Sequence, residues 1–301
     1  MQFYIVDVFT ANKYAGNQLA VLVGSEVADL SDQEMLQIAR EINYSETTFI
    51  LSDQPVNGVY PVRIFTPAKE LPFAGHPTLG TADIIAREII KQPIEQVILN
   101  LAVGQIPVTF DQSQSPAILW MKPNQPVFGE ILAPTEIAPV LGLVVDDLDQ
   151  NFPIQVVSTG IPFIIVPLNS LVALEKAQVN LDKFADFIQN KTATEIFIFC
   201  RETYHPDHQL AARMFAPNLG IIEDPATGSA NSCLAGYLVK HNYFNSSEIN
   251  IQVEQGYSIQ RPSLLFLKAN KLVNNNHSSI DILVGGQVVM VAKGEWFSRL
   301  G

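Results

Sequence analysis

The sequence predicts an α+β protein of two duplicated domains, and three observations carry that prediction. The chain has 301 residues and 48% apolar content, more than one ordinary core needs. Short β-branched runs alternate with segments of helical period along its length. A strand–loop–helix motif also occurs twice in the same order. RIFTP at 63–67 matches RMFAP at 213–217, and HPTLGTA at 76–82 matches DPATGSA at 224–230.

The elements follow in order. FYIVDVFT and QLAVLV read as two strands joined by a loop that contains Gly16 and Asn17. SDQEMLQIAREI reads as a helix: Ser31 and Glu34 make a capping box, Met35, Ile38, Ala39 and Ile42 keep helical spacing, and the end falls near Asn43. TTFIL and YPVRIF are strands, which puts Glu46, within NYSETTFI, on a short helix-to-strand connection. In GHPTLGTADIIAREII, Pro77 suits a first helical turn, and the apolar spacing runs to Ile90. QVILNLAVGQIPVTF and AILWMKP are strand-like, with Gly104 as punctuation. PNQP and LAPTEIAPVLG surround a boundary near residues 122–135.

The second half repeats the mixture. IQVVST, FIIVPL and EIFIFC are strands, DKFADFIQ is helical, and DPATGSANSCLAGYLVK leads into a helix. Short strands follow, with NNNH at 274–277 as a hairpin turn. The domains are expected at residues 1–125 and 126–287, with the strand at 288–301 a candidate to pack on the first domain.

The net charge of −12 argues against nucleic acid and anionic membranes as partners. It does not argue against a small anion, because local backbone dipoles can overrule a global sign. The two cysteines, Cys200 and Cys233, form neither metal-ligand spacing nor a disulfide framework and suit reduced thiols in a cytoplasmic protein. The start, MQFYIVDVF, lacks a basic region followed by a long apolar run, so no signal peptide is expected. No apolar run approaches the length of a membrane span.

The repeat also permits chemistry. A glycine- and hydroxyl-rich loop before a helix exposes backbone N–H groups, and such a start binds anions through those donors and the helix dipole. Two copies would point two helix starts at one inter-domain cleft able to hold a carboxylate ligand. His76 and Asp224 occupy the matched position of the two copies, and Glu46 adds a carboxylate from a loop two strands upstream of His76. Ionisable groups around a cleft can orient a substrate and shuttle a proton. A base that takes a proton from carbon, and an acid that returns it elsewhere, would isomerise a double bond.

These residues resemble a known family. DVFT at 7–10, GNQLAV at 16–21, NYSETTF at 43–49, RIFTPAKELPFAGHPTLGTA at 63–82 and EDPATGSA at 223–230 are similar to the phenazine-biosynthesis-like (PhzF) proteins, within the diaminopimelate-epimerase-like fold. The resemblance implies two pseudo-symmetric domains, each a rolled, mostly antiparallel sheet around a central helix, with the active site between them. It implies an isomerase that needs no cofactor and no metal, acts on a small carboxylate substrate, and forms a homodimer. In the phenazine enzyme the glutamate of the N-x-S-E-T motif is the base and moves a proton on a dihydro-hydroxyanthranilate ring. Carried across, the catalytic base is Glu46, and the substrate-binding residues are Gly75, His76, Asp224, Gly228 and Ser229. Gly75 and Gly228 would offer backbone donors to the substrate carboxylate.

One departure from the wider fold is informative. Its racemases use two facing cysteines, and FAGHPT and EDPATG contain none. An amino-acid racemase is therefore disfavoured. A non-catalytic member that binds a small acid or a protein in the same cleft is the alternative reading.

Overall fold

The computed structural model describes residues 1–189, 191–274 and 277–297. Its internal contacts form two compact units, Met1–Lys122 with the segment that begins at Gly285, and Pro123–Val284.

The first unit opens with β1 (Gln2–Val8) and β2 (Asn17–Val23), an antiparallel pair in which Gln2 faces Val23 and Val8 faces Asn17. α1 (Asp32–Ile42) carries its capping box: Ser31 Oγ accepts from the Glu34 amide, and Glu34 Oε2 accepts from the Ser31 amide. It ends at Asn43, whose φ of 57° is left-handed, a conformation asparagine tolerates. β3 (Glu46–Ile50) lies parallel to β2, and β4 (Tyr60–Phe65) antiparallel to β3. β5 (Glu70–Leu71) folds back on β4 before α2 (Gly75–Ile84). β6 (Gln96–Leu101) pairs parallel with β4, and β7 (Gly104–Asp111) and β8 (Ile118–Met121) continue antiparallel.

Two sequence expectations change here. Glu46 is not on a connection: it opens β3, because its backbone pairs with Leu19 in the parallel ladder. The helix expected to reach Ile90 is α-helical only to Ile84, and 85–90 form a π-turn closed by the Lys91 amide donating to the Ala86 carbonyl at 2.8 Å. Apolar spacing over so short a stretch is compatible with either ladder.

The second unit begins inside the Pro-rich stretch, which is not a featureless boundary: it holds β9 (Val127–Leu132) and the short α3 (Pro134–Ile137). β10 (Ile154–Ser158), β11 (Pro162–Pro167), α4 (Leu171–Lys176), α5 (Leu181–Ile188) and β12 (Glu195–Cys200) follow. Then come β13 (Leu210–Ala216), β14 (Ile221–Asp224), α6 (Gly228–Lys240), β15 (Glu248–Gln255), β16 (Ser263–Asn274) and β17 (His277–Gly286). The turn expected at 274–277 falls on residues 275 and 276, outside the described residues. Finally β18 (Val288–Glu295) pairs antiparallel with β1, with a bulge between Ile5 and Val6.

The pairing order of the two units is the same. β11–β12 is parallel as β2–β3 is, and β12–β13 antiparallel as β3–β4 is. β13 pairs with β14 and β15 as β4 pairs with β5 and β6. Thr47 faces Phe65 where Ile196 faces Phe215, so Glu46 and Glu195 hold matched strand positions. The duplication thus extends from two motifs to the topology of each unit.

Each unit is α+β and mostly antiparallel, with its sheet covered on both faces. All ten residues of α2 are buried, and β1, β2, β3, β6, β7, β8 and β18 all touch the helix. α6 is enclosed by β10, β11, β15 and β16. On the opposite face α1 sets Met35, Ile38 and Ala39 against Leu22, Phe49 and Phe65. In the second unit Leu174 of α4 and Phe184 of α5 join a core with Ile164, Val166, Ile196 and Ile198. Burial on two faces is why β3 and β12 read as apolar runs, not as alternating strands.

Candidate active site

In the first unit the period of two along β3 decides where Glu46 points. Phe49 packs outward, edge-on to Phe65 with ring centroids 5.5 Å apart. Thr48 points to the helix and accepts a hydrogen bond from Thr81 Oγ1 of α2 at 2.8 Å. Glu46 is two residues before Thr48 and shares its face. α2 enters through Ala74, whose extended backbone offers no side-chain cap, so the helix start at Gly75 and His76 keeps its donors uncapped by any side chain of that residue.

The two motifs meet there. His76 is 6% exposed, and its Nε2 is 3.4 Å from Glu46 Oε2. Nε2 is buried and makes no hydrogen bond among the described residues. Burial pulls the imidazole pKa from 6.5 down to about 3, against a smaller opposing pull from a hydrogen bond to the Gln18 backbone. At neutral pH the ring is therefore uncharged, and its contact with Glu46 is not an ion pair. The arrangement is a carboxylate beside a neutral imidazole at the head of a buried helix.

In the second unit Asp224 closes β14 and is 6% exposed. Thr227 stands at the cap position of α6, yet its hydroxyl does not cap the helix. It donates instead to Asp224 Oδ2 at 2.5 Å. Gly228 and Ser229 then begin the helix without a side-chain cap. The Ser229 carbonyl accepts from Ser232 Oγ at 2.6 Å, and Thr159 Oγ1 lies 2.5 Å from the same Ser232 hydroxyl.

Both helix starts hang from an arginine–glutamate fork. In β4 and β5, Arg63 Nε and Nη2 donate to the two oxygens of Glu70 at 2.7 and 2.6 Å. In β13 and β14, Arg213 makes the same fork with Glu223 at 3.1 and 2.8 Å. Bidentate pairs fix orientation as well as distance, so each fork sets the hairpin that delivers the next helix. Each arginine opens a matched motif, at 63–67 and at 213–217, and each glutamate lies between the two motifs of its own copy.

The structure thus brings Glu46, Gly75 and His76 together in one unit, and Asp224, Gly228 and Ser229 together in the other. Neither cysteine joins a helix start. Cys200 ends β12 and Cys233 lies within α6, both buried, with burial pushing their thiols up to about 12 and about 11. Neither ionises at neutral pH, so neither is poised as a nucleophile or base. Among the described residues no three His, Cys, Asp or Glu side chains are grouped to hold a metal, and no helix is long and apolar enough to cross a membrane.

Comparisons with known proteins bear on the family and the fold. A family model described as phenazine biosynthesis-like protein matches residues 6–294. The trans-2,3-dihydro-3-hydroxyanthranilate isomerase of Pseudomonas aeruginosa is 33% identical over 89% of this chain and 90% of its own. A crystal structure of a PhzF-family phenazine biosynthesis protein from Bacillus anthracis superposes with a TM-score of 0.87 at 28% identity, over 99% of each chain. A hydroxyproline epimerase of Agrobacterium vitis shares the fold alone, with a TM-score of 0.61 at 11% identity over 98% of this chain and 90% of its own.

Proposed function

Because this chain belongs to the phenazine biosynthesis-like family, as an isomerase of that family, we propose that it moves a proton within a small carboxylate substrate with Glu46 as the base. The observation that carries the reading is the Glu46–His76 contact of 3.4 Å at an uncapped helix start. Glu46 takes a proton from a substrate carbon, the electron pair of that C–H bond forms a new double bond to the next carbon, the old π pair shifts to the far carbon, and the proton is returned there. Atoms and charge balance without a co-reactant. The neutral His76 ring, held so by burial, stands beside Glu46 without forming an ion pair with it. Gly75 and His76, and in the second unit Asp224, Gly228 and Ser229, are the residues proposed to bind the substrate, with the uncapped helix starts as donors to its carboxylate. The chain is also proposed to act as a homodimer, which sedimentation would read.

The test is solvent deuterium incorporation into a panel of small carboxylates that begins with trans-2,3-dihydro-3-hydroxyanthranilate. Glu46→Gln should lower the rate by roughly 10²–10⁴-fold, the range for one positioned acid–base group, with thermal unfolding unchanged. An unaltered rate in that variant would refute the mechanism.

A further inference from the structure

The turn that carries Asp224 is held by a residue far along the chain. Gln255 ends β15, which pairs parallel with β13 so that Gln255 faces Ala212. Its side chain is 1% exposed and makes four hydrogen bonds, all but one of them to the segment 224–227. Oε1 accepts from the Thr227 amide at 3.2 Å and from Asn231 Nδ2 at 3.0 Å. Nε2 donates to the Asp224 carbonyl at 3.0 Å and to Thr227 Oγ1 at 3.1 Å. Two acceptor sites and two donor protons are the whole capacity of a side-chain amide.

Polarity fixes the direction of this network. The Thr227 amide can only donate and the Asp224 carbonyl can only accept, so the orientation of the Gln255 amide is determined. Thr227 Oγ1 accepts a hydrogen bond from Gln255 and donates its own to Asp224 Oδ2. The same bond keeps the hydroxyl from capping α6. Two neighbours close the turn from the same hairpin. Ser263 Oγ lies 3.0 Å from the Pro225 carbonyl and 2.9 Å from the Arg261 carbonyl, and its one proton is shared between them. Gly256 has a φ of +79°, and a Cβ there would meet the Pro225 carbonyl at 2.6 Å.

We propose that Gln255 is a positioning residue which, through Thr227, aims the Asp224 carboxylate at the substrate and keeps the helix start at Gly228 and Ser229 open to the substrate's carboxylate. This rests on the reading of Asp224, Gly228 and Ser229 as substrate-binding residues. Gln255 touches no reacting atom, and its effect falls on substrate affinity. Gln255→Glu keeps the shape but replaces the Nε2 donor with an acceptor. The Thr227 hydroxyl then turns toward the new carboxylate and away from Asp224.

The experiment measures kcat and KM for Gln255→Glu, Thr227→Val and Thr227→Ser, on whichever acid of the panel shows the fastest exchange that depends on Glu46. The expected result is a KM raised about 10- to 100-fold in the first two variants, the loss that goes with a hydrogen bond to a charged group, with kcat within about threefold. Thr227→Ser restores the hydroxyl and should recover most of the affinity. The double variant Gln255→Glu/Thr227→Val should be no worse than the poorer single one, because both act on one chain of bonds. Folded variants with unchanged KM, or a loss confined to kcat, would overturn the positioning role while Glu46→Gln still upheld the reaction. A panel with no exchange dependent on Glu46 would overturn the underlying reading and this inference with it. Should Gln255→Glu fail to fold, the Thr227 pair decides the matter alone.

Discussion

Burial acts in opposite directions on two ionisable residues of α2, and the stability of the protein in acid should show it. His76, held neutral with a pKa of about 3 against 6.5 when exposed, binds fewer protons in the native state than in the unfolded one across that interval. Stability therefore falls as pH drops from about 6.5 toward 3, by up to about 1.4 kcal/mol per pH unit where the difference is one full proton. Asp83 does the reverse. Burial raises its carboxyl from 3.8 to about 6, despite Arg87 Nε donating to Oδ1 at 2.8 Å, and Oδ2 is buried without a hydrogen bond among the described residues. The native state binds the extra proton between about 3.8 and 6, so this contribution grows as pH falls through that window. The two slopes oppose each other there. Asp83→Asn should steepen the acid loss of stability between pH 6 and 4, and His76→Asn should flatten or invert it, as urea unfolding at a series of pH values would show. Glu46, His76 and Asp224 were legible in the sequence because short motifs frame them. Gln255 was not: it lies in EQGY with no motif around it, and only the parallel pairing of β15 with β13 brings it to the turn.

Among the elements, α2 departs most from what periodicity leads one to expect. A helix buried on every side has no polar stripe, so apolar spacing locates it without showing how it packs. Its closeness to the sheet depends on Gly80, where a Cβ would come within 2.6 Å of Leu19 Cδ2 and 2.9 Å of Val8 Cγ2. Gly80→Ala should cost about 1–3 kcal/mol, the usual penalty for overpacking, with the urea m-value unchanged. The two arginine forks should differ in weight. Arg213 and Glu223 have side chains only 9% and 5% exposed, and Arg213 Nη1 also donates to the Leu174 and Ala177 carbonyls at 2.8 and 2.7 Å. Arg213→Ala leaves a buried carboxylate alone and should cost about 3–5 kcal/mol. The Arg63 partners, Glu70 and Asp32, are 37% and 81% exposed, and Arg63→Ala should cost only about 1 kcal/mol. Equilibrium unfolding of the two variants would establish the order. Most strands were legible from β-branched runs, but β9 within the Pro-rich stretch was not, and neither was the start of β3 at Glu46, because a ladder bond to Leu19 sets it and no local propensity does.

For the whole molecule, the duplicated pairing order explains why a match of two short motifs could foretell so much of the architecture. A strand order repeated in each unit restricts where the intervening strands can go. What the motifs could not foretell is how the copies diverged. Glu46 and Glu195 occupy matched strand positions, yet Glu46 faces His76 while Glu195 Oε2 accepts from the Thr194 amide at 3.3 Å. The units also differ in continuity, since the first takes its last strand from the far end of the described chain. A chain truncated after Gln287 should lose amide protection in β1 and β2 and keep it in β12 and β13, as hydrogen exchange would reveal.

That borrowed strand carries a consequence for synthesis. At a ribosome's pace of roughly 5–20 residues per second, β1 leaves the exit tunnel tens of seconds before its neighbour β18 is made. The second unit, drawn from one unbroken stretch, is synthesised in full while the older strand still offers an unpaired edge to anything nearby. In the nascent chain, the first half to be translated is the last to be finished.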